Sequence, residues 1–504
     1  MVSEGTDGLA PAFRVPRAPR RKLPWIALAL VLVAAAVFGG IRVFGGKDTC
    51  GHGIPKVGPA HECIGVTDGS TVFEPSLAPV MAKILAENKR VAASGRPWVS
   101  VAYVEPFTTD PQDEATKYGI REELDGAYLA QRQLNDAQLG GRGDTPQIRL
   151  LVANIGLRSE QWKPLTDRLI AMTHGGDRLV AVAGFGQSRG GTLQAVQALR
   201  AAKVPMMGAT VSADNLASAA QVGFFRSSAP NSDQASAAVN YLRQQQAARH
   251  GAYKVLVVRD RNQDDIYNTS LYNDFVAAAR KTSLALVGGD LEYVSGVDGI
   301  SNAFSSVADR VCDKKPDAVF FAGRGVNLRA FITAMSAPDR RCQVTVLTGD
   351  DAVGVYYDSS ESRSVRDRFA ANWQASGVTV MFTALAHPDL PGRLYPSDRN
   401  PYPGFLQLYH DEFGAGTDNF QDGQAMLAHD AVWTLGVAIR EAAGDGTTAV
   451  NAGSTLNALV SGGSVAGLTG PVELGSDGNP QDKPMALVRL EPTGAYTFRQ
   501  VVRP

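Results

Sequence analysis

The sequence predicts an α/β protein with two lobes, preceded by one N-terminal transmembrane helix. After residue 97, seven apolar, β-branched runs alternate with amphipathic helical patterns. This alternation is typical of parallel sheets covered by helices on both faces. The units are too many for one compact sheet, and we interpret the segment QVGFFRSSAPNSDQ (221–234) as a crossover between two lobes.

The N-terminal region predicts a membrane anchor. Residues 23–41 carry no charge, and about 20 apolar residues span a bilayer as a helix. Five basic residues precede this segment, whereas only Arg42 and Lys47 closely follow it. The basic side faces the cytoplasm. We therefore expect a cytoplasmic tail at 1–22, a transmembrane helix at 23–44 and a main domain outside the cell membrane. A cleaved signal peptide is the alternative.

Residues 45–96 are expected to form a disulfide-pinned spacer followed by a helix at Pro75–Ala93. Cys50 and Cys63 lie 13 residues apart, and Cys312 and Cys342 lie 30 apart. An even cysteine count outside the membrane favours disulfides. Four cysteines allow three pairings, of which we favour the two local ones. A zinc site with His52 and His61 is the alternative, although no Cys-x-x-Cys motif is present.

The remaining elements follow from hydrophobic periodicity. The predicted strands are 98–104, 148–154, 178–184, 204–209, 253–260, 317–323 and 343–349, and a β-meander is expected over 468–502. The predicted helices are 121–138, 162–173, 191–202, 233–249, 272–280, 300–312, 327–335 and 424–443. The net charge of the chain is −1, and no basic cluster lies beyond the membrane-proximal tail. Both observations argue against a nucleic-acid surface on the expected exterior part.

The segment from Arg178 to Leu216 contains the first candidate site. Its strand ends in a Gly-rich turn, and Ser188 stands where the next helix begins. Free N–H groups at a helix N-terminus, with a hydroxyl beside them, form a site for a carboxylate or another anion. Residues 186–190 also match the Gly-x-Ser-x-Gly nucleophile elbow of hydrolases, so Ser188 has two interpretations.

The enzyme interpretation lacks support elsewhere in the chain. A triad would need an acid and then a histidine after Ser188, and nothing around the candidate histidines His387, His410 and His429 resembles a triad turn. His174-Gly175-Gly176 lies too close to Ser188 for an oxyanion loop on an earlier strand. A dinucleotide site would need an acidic residue where Ala209 and Thr210 stand. We therefore expect a protein without catalytic residues, cofactor or metal.

Seven ordered segments resemble one family. They are REELDGAYLAQRQLN (121–135), AVAGFGQSRGGT (181–192), VPMMGATVSADNL (204–216), FFRSSAPNSDQA (224–235), KVLVVRDRNQDDIYN (254–268), AHDAVWTLGVAIREA (428–442) and LTGPVELGSDGNP (468–480). On these segments, residues 98–495 resemble the type I periplasmic-binding-protein family, in particular the branched-chain amino-acid (Leu/Ile/Val) substrate-binding group of ABC transporters.

The resemblance implies a fold and domain boundaries. The family has two Rossmann-like lobes, a Venus-flytrap arrangement, joined by three crossovers that close on a small ligand. Lobe 1 is then expected at 97–226 plus about 344–455. Lobe 2 is expected at 227–343 plus about 456–504.

The resemblance also implies ligand contacts. Ser188, next to Gln187, would receive the ligand carboxylate. Val211 and Ser212 replace the family's usual Ala-Thr, and Ser212 keeps a hydroxyl. Tyr267 stands where the family has Tyr-Gly, although Asn268 replaces the glycine here. Phe107, after the first strand, is a candidate wall residue.

One departure puts a branched-chain amino acid in doubt. Amino-acid binders of the group place an acidic residue near Asn327, and asparagine offers no charge. Arg324 would favour an anionic group instead. Asp350 and Asp351 are candidates for the missing negative charge. The expected ligand is therefore an amino acid, an amide or a small carboxylate.

These observations predict an extracytoplasmic solute-binding protein, anchored in the cell membrane and serving an ABC transporter. A membrane-bound ligand sensor or scaffold that acts on a partner protein is one alternative, because the anchor is unusual for a delivery protein. A serine hydrolase that uses Ser188 is the other.

Overall fold

The computed structural model describes residues 49–108, 114–140, 145–249, 253–340, 342–356, 362–416, 420–444 and 449–504. Nearly all of them belong to one compact unit, Cys50–Pro504. The expected tail (1–22) and transmembrane helix (23–44) lie outside the described residues. Within the described part, no helix combines the length and apolar character that a membrane crossing requires.

The strands are β1 (Thr49–Gly51), β2 (Ile54–Val57), β3 (Glu62–Cys63), β4 (Gly65–Thr67), β5 (Trp98–Glu105), β6 (Gln147–Asn154), β7 (Leu179–Gly184), β8 (Met206–Gly208), β9 (Phe224–Arg226), β10 (Val255–Asp260), β11 (Leu291–Tyr293), β12 (Ala318–Ala322), β13 (Gln343–Thr348), β14 (Gly377–Ala384), β15 (Met485–Leu490) and β16 (Tyr496–Val502). The α-helices are α1 (Ala78–Ala93), α2 (Glu114–Asn135), α3 (Ala137–Gly140), α4 (Trp162–Met172), α5 (Gly190–Ala201), α6 (Asn231–Arg249), α7 (Ile266–Thr282), α8 (Ile300–Lys314), α9 (Gly325–Met335), α10 (Arg363–Ala375), α11 (Pro391–Leu394), α12 (Tyr402–Phe413), α13 (Gln424–Ala443) and α14 (Ala452–Ser461). Short 3-10 helices cover Pro75–Leu77, Leu157–Ser159, Asp214–Leu216, Asp350–Tyr356 and Phe420–Asp422.

The first lobe is built on a six-stranded sheet of order β4-β6-β5-β7-β8-β9. Its strands are parallel except β4, which pairs antiparallel with β6 at the edge. Strands β5 and β7 are buried along almost their whole length. Such continuous apolar runs are expected where helices cover both faces of a parallel sheet.

The second lobe is built on a seven-stranded sheet of order β11-β10-β12-β13-β14-β15-β16. The first five strands in this order are parallel, and β15 and β16 add an antiparallel hairpin. All seven strands predicted from periodicity are present in the two sheets, as is the α/β class. The predicted C-terminal meander is confirmed only as this hairpin.

Three crossovers join the lobes, but two predicted boundaries are wrong. Strands β13 and β14 extend the second sheet, so the chain returns to the first lobe after Ala384, not at about residue 344. Helix α14 packs against β7 of the first lobe, so the final crossing falls between α14 and β15, not at about residue 456. The run GVTVMFTA (377–384) carries the alternation of a strand, and the prediction overlooked it.

The segment before β5 is integrated into the first lobe. Strands β1, β2 and β3 form a small sheet closed by the disulfide Cys50–Cys63. The side chain of Asn88 in α1 pairs with both backbone groups of Leu150 in β6 (2.7 and 3.0 Å). The second predicted disulfide, Cys312–Cys342, is also present. Because Cys50 and Cys63 are bonded to each other, the alternative zinc site is excluded for them.

A buried arginine explains the Phe-Arg crossover motif. Arg226 is completely buried at the end of β9, and its guanidinium donates to the carbonyls of Val211 (3.1 Å) and Ala213 (3.0 Å). The backbone N–H of Asn231 donates to the carbonyl of Ser212 between them (2.8 Å). The crossover therefore fixes the turn that carries Ser212.

Candidate ligand-binding site

Each of the two sheets has a switch point, where the direction of strand addition reverses. In the first sheet β5 lies between β6 and β7, and in the second β10 lies between β11 and β12. The chain runs from β5 toward β6 on one side and from β7 toward β8 on the other, so the loops after β5 and β7 diverge. The loops after β10 and β12 diverge in the same way. Such switch points are where open α/β sheets bind ligands.

A cavity of about 110 Å³ lies between the lobes at these loop ends. We call it the acidic compartment, because Glu105 and Glu123 line it from the first lobe and Asp350 and Asp351 from the second. Its wall is completed by Pro106, Gly119, Ile120, Gly186, Gln187, Ser188, Arg189, Thr210, Ser212, Tyr267, Arg324, Val326, Val353, Gly354 and Gln424.

A neighbouring compartment of about 410 Å³ continues along the same cleft. Arg158, Asn262, Asp298 and Asn327 are among its polar lining residues. The two compartments share a wall formed by Pro106, Gln187, Arg189, Arg324 and Val326.

Arg324 forms the centre of this shared wall. Its guanidinium binds both carboxylate oxygens of Asp265 (2.9 Å each) and one oxygen of Asp351 (3.0 Å). It also donates to the carbonyl of Ser188 in the opposite lobe (3.1 Å). Arg189 of the first lobe binds Asp265 as well (2.6 Å). Burial disfavours the charged form of Asp265, but the two arginines lower its pKa. Both cations of the acidic compartment are thus neutralised within the protein.

Ser188 is engaged with the neighbouring turn. Its hydroxyl oxygen accepts from the backbone N–H groups of Ser212 and Ala213, at 3.2 Å each. A hydroxyl has two acceptor lone pairs and one O–H, so the O–H of Ser188 can still donate. Ser212 itself contacts Asp350 of the second lobe (3.4 Å).

Glu105 and Glu123 form a buried carboxyl pair. Gly186 N–H donates to Glu105 (2.9 Å), while Tyr103 (2.8 Å) and Thr210 (3.2 Å) donate to Glu123. Burial raises the pKa of Glu123 to about 7, and burial together with the charge of Glu123 raises that of Glu105 well above its usual range.

Asp350 and Asp351 open the 3-10 helix after β13. The side-chain N–H of Gln234 donates to the Asp350 carboxylate (2.8 Å), and the side-chain oxygen of Gln234 accepts from the backbone N–H of Asp350 (2.9 Å). The hydroxyl of Tyr267 accepts from the backbone N–H of Asp351 (3.2 Å). Burial raises the pKa of Asp350 to about 6.

A family model described as periplasmic binding protein matches residues 99–495. The chain belongs to the periplasmic binding protein family. The predicted family is therefore confirmed. Comparison with curated proteins yields no significant match.

Solved structures of other periplasmic binding proteins share the fold. A leucine-binding protein of Thermotoga maritima aligns with a TM-score of 0.59 at 16% identity, over 81% of this chain and 99% of the other. A branched-chain amino-acid transporter binding protein of Streptococcus pneumoniae, in complex with isoleucine, gives 0.57 at 17% identity, over 81% and 100%. A solute-binding protein of R. palustris, in complex with benzoate, gives 0.56 at 16% identity, over 81% and 97%.

In this periplasmic binding protein, most predicted site residues lie together. Seven of the ten line the acidic compartment: Gln187, Ser188, Ser212, Tyr267, Arg324, Asp350 and Asp351. Asn327 lines the neighbouring compartment instead. That any of them touches a ligand remains a prediction.

Two residues predicted to contact the ligand line neither compartment. Val211 is buried in the apolar core of the first lobe, and only its carbonyl has a polar role, as an acceptor for Arg226. Phe107 is also buried and stacks on Phe73, with ring centroids 5.7 Å apart. Both side chains turn into the protein because each is apolar and finds an apolar neighbour there.

The electrostatic expectation also changes. Arg324 was expected to favour an anionic ligand, but its charge is already balanced by Asp265 and Asp351. The charge excess in the acidic compartment is negative. Glu105, Glu123 and Asp265 were missed by the prediction. Glu105 directly follows the predicted strand 98–104 and thus stands where a switch-point loop begins, which could have identified it. Glu123 lies three residues after Ile120 and four before Ala127, on the buried face of α2.

The lining of the two compartments gives no support to the hydrolase alternative for Ser188. Among the described residues that line the two compartments, none is a histidine. His387 bonds instead with the Tyr496 carbonyl, and His429 with Gln133. In the described part of the chain, no group of three or more His, Cys, Asp or Glu side chains is placed to hold a metal ion.

Proposed function

We propose that this periplasmic binding protein is a solute-binding protein that closes its lobes on a small organic ligand in the acidic compartment. The ligand classes are an amino acid, an amide or a small carboxylate. One observation carries the proposal: loops from the switch points of both sheets line a single cavity. The solutes named for the similar solved structures, leucine, isoleucine and benzoate, are small organic molecules of these classes.

Polar contacts between the lobes support the proposed closure. Arg189–Asp265 and Arg324–Ser188 cross the cleft, and Gly190 N–H donates to the carbonyl of Asp264 (3.2 Å). A ligand that contacts both lobes favours the closed state by its differential affinity for that state. These residues would therefore close around the ligand together.

We further propose that residues 23–44 anchor the protein in the cell membrane, with the lobes outside and an ABC-transporter permease as the recipient of the ligand. The uncharged segment with its basic N-terminal flank supports the orientation. The two disulfides fit an oxidising compartment.

A melting-temperature screen of the full-length protein in detergent tests ligand binding. The panel contains amino acids, their amides, small amines and small carboxylates. A ligand at 100 times its Kd stabilises the folded state by about 2.7 kcal/mol, so a binder raises the melting temperature by several degrees.

A matched pair of variants locates the site. Val326 is 53% exposed and lies on the wall shared by both compartments. Val326→Trp should fold normally and abolish the ligand-induced shift by filling the cleft. Val365→Trp, at a 44% exposed position in the first turn of α10, should keep the shift. If no panel member shifts the wild type, the solute-binding proposal is wrong.

Cell fractionation tests the anchor. The full-length chain should stay with membranes after a carbonate wash, and a variant that lacks residues 1–47 should not. A soluble, N-terminally trimmed wild-type protein would instead show that the apolar segment is a cleaved signal peptide.

A further inference from the structure

In the carboxyl pair Glu105–Glu123, one buried oxygen receives no hydrogen bond from the rest of the protein. Glu105 ends β5 and Glu123 lies in α2, and both side chains line the acidic compartment and are buried. Three of their four oxygens accept hydrogen bonds, from Gly186, Thr210 and Tyr103. The fourth, Glu105 Oε2, is buried and accepts from no N–H or O–H group of another described residue; its one partner is the Glu123 carboxyl, through a proton that the two groups share.

The pair also lacks a cation of its own. Arg189 and Arg324 are the arginines that line the acidic compartment, and both are held by Asp265, with Asp351 as a further partner of Arg324. A buried carboxylate is stable only when it is paired or protonated. Without ligand, the pair therefore keeps a proton near neutral pH.

We propose that Glu105 and Glu123 bind the protonated primary amine of the ligand, and that the pair releases a proton when the amine binds. This inference rests on the proposed function and narrows it to amine-bearing ligands.

An ammonium group suits the site better than a carboxylate does. It offers three donors and no acceptor, so it satisfies Glu105 Oε2 and replaces the shared proton as the counter-charge. A carboxylate at the same position would face Glu105, Glu123 and Asp350 with no unpaired cation among the described lining residues. The O–H of Ser188 remains available for the other polar end of the ligand.

The pH dependence follows from the groups that face the pair. These are Tyr103 on β5 and Thr210 after β8, which donate to Glu123, and Asp422 before α13, whose charge disfavours ionisation of Glu123. Asp350 after β13 lines the same compartment. A bound ammonium lowers the pKa of the pair, so the complex holds fewer protons than the free protein. Affinity for an amine therefore rises with pH and levels off above the pKa of about 7 of Glu123. The affinity for the amine changes by at most about tenfold per pH unit for each proton released.

The experiment uses three probes of one shape on the full-length protein in detergent: L-leucine, 4-methylpentanoate, which lacks the amine, and 3-methylbutylamine, which lacks the carboxylate. The twenty amino acids with their decarboxylated and deaminated counterparts extend the set if leucine does not fit. Titration calorimetry at pH 5.5, 6.5, 7.5 and 8.5 gives the affinity. A comparison of phosphate with Bis-Tris at pH 6.5 gives the proton release, since neither buffer is a primary amine. We expect the amine-bearing members to bind at least tenfold more tightly than the deaminated one. We also expect their affinity to rise with pH, and the binding enthalpy to differ between buffers at pH 6.5.

Variants separate the pair from general folding effects. Glu105→Gln and Glu123→Gln should each reduce amine affinity at least tenfold and flatten its pH profile. Asp125→Asn is the matched control, because Asp125 is buried in α2 and its pKa is raised by burial to about 7, but it does not line the acidic compartment. If Glu105→Gln does not fold, the Glu123→Gln variant and the pH profile of the wild type still show whether the pair binds the amine.

Two results overturn the inference in distinguishable ways. If deaminated probes bind as tightly as amines, or if amine affinity is independent of pH and of Glu123, the inference is wrong and the solute-binding function stands. If no probe of any class binds, both the amine-binding inference and the proposed solute-binding function are wrong.

Discussion

At the scale of single residues, Arg324 organises the cleft. It joins Asp265, Asp351 and the carbonyl of Ser188, and its guanidinium lies 4.4 Å from the centre of the Tyr267 ring. Removing one partner of a buried ion pair is costly because the remaining charge loses its compensation.

Arg324→Ala is therefore expected to lower the free energy of unfolding by about 3–5 kcal/mol, measured by denaturant titration. The control is Lys163→Ala, which removes an exposed i,i+4 pair with Asp167 (2.8 Å) and should cost about 0.5 kcal/mol or less. A loss no larger than in the control would show that the pairs around Arg324 do not stabilise the fold.

The residue scale also shows what a sequence can predict about a site. Ser188, Ser212 and Asp350 each follow a strand at its carboxyl end, so the order of strands and turns already brings them near the cleft. Glu123 lies inside a helix, and only the three-dimensional packing reveals that its face of α2 meets Glu105. The orientation of Val211 was unpredictable because a one-residue change in a turn decides whether a side chain faces the cleft or the core.

At the scale of elements, a glycine contact joins α2 and α13, which pack along each other. A Cβ atom at Gly126 would overlap the carbonyl oxygen of Ala425 in α13. The buried Asp430 of α13 in turn accepts from the backbone N–H groups of Leu468 (2.7 Å) and Thr469 (2.8 Å). The Gly-Ala and Asp-Ala-Val segments of the sequence therefore have packing roles.

Gly126→Ala is expected to lower the free energy of unfolding by about 1–3 kcal/mol, because the helices must move apart. Gly404→Ala in α12 is the control, since a Cβ there meets no atom within 4 Å. It should stabilise by up to about 1 kcal/mol through helix propensity. Thermal unfolding of both variants checks the opposite signs; a stabilised Gly126→Ala would contradict the close approach of the helices.

Most long strands were predictable from their periodicity, with β14 as the exception, whereas the short strands β9 and β11 were not. Strands β9 and β11 have three residues each, too few to show an alternation. Their pairing depends on neighbours distant in sequence, as between Val258 of β10 and Leu291 of β11. The prediction of the lobe boundaries was wrong for the same reason, because the sheet that a strand joins depends on contacts between residues distant in sequence.

At the scale of the whole molecule, a carboxyl contact makes the junction of the lobes sensitive to pH. Ser270 Oγ lies 2.9 Å from a carboxylate oxygen of Asp214 in the first lobe and 2.9 Å from one of Asp274 in the second. Burial, followed by the charge and hydrogen bond of Asp214, raises the pKa of Asp274 to about 7. The folded state thus holds this proton more tightly than the unfolded chain does. The stabilisation is complete below the unfolded pKa near 4 and is lost as the pH rises through 7.

Asp274→Asn should remove this dependence. Its melting temperature is expected to match that of the wild type at pH 5 and to exceed it at pH 8, because an amide cannot ionise and can donate to Asp214. Asp167→Asn, at an exposed carboxyl group, should give the same difference from wild type at both pH values. A constant difference for Asp274→Asn as well would mean that the contact between the lobes does not titrate.

The edge strand β4 has a mechanical consequence. It enters the first sheet beside β6, and the disulfide-closed hairpin stands immediately before it. Any tether on the N-terminal side is therefore attached to the first lobe only. If the lobes close on a ligand, the second lobe, which three crossovers join to the first, would be the lobe that moves relative to the tethered one.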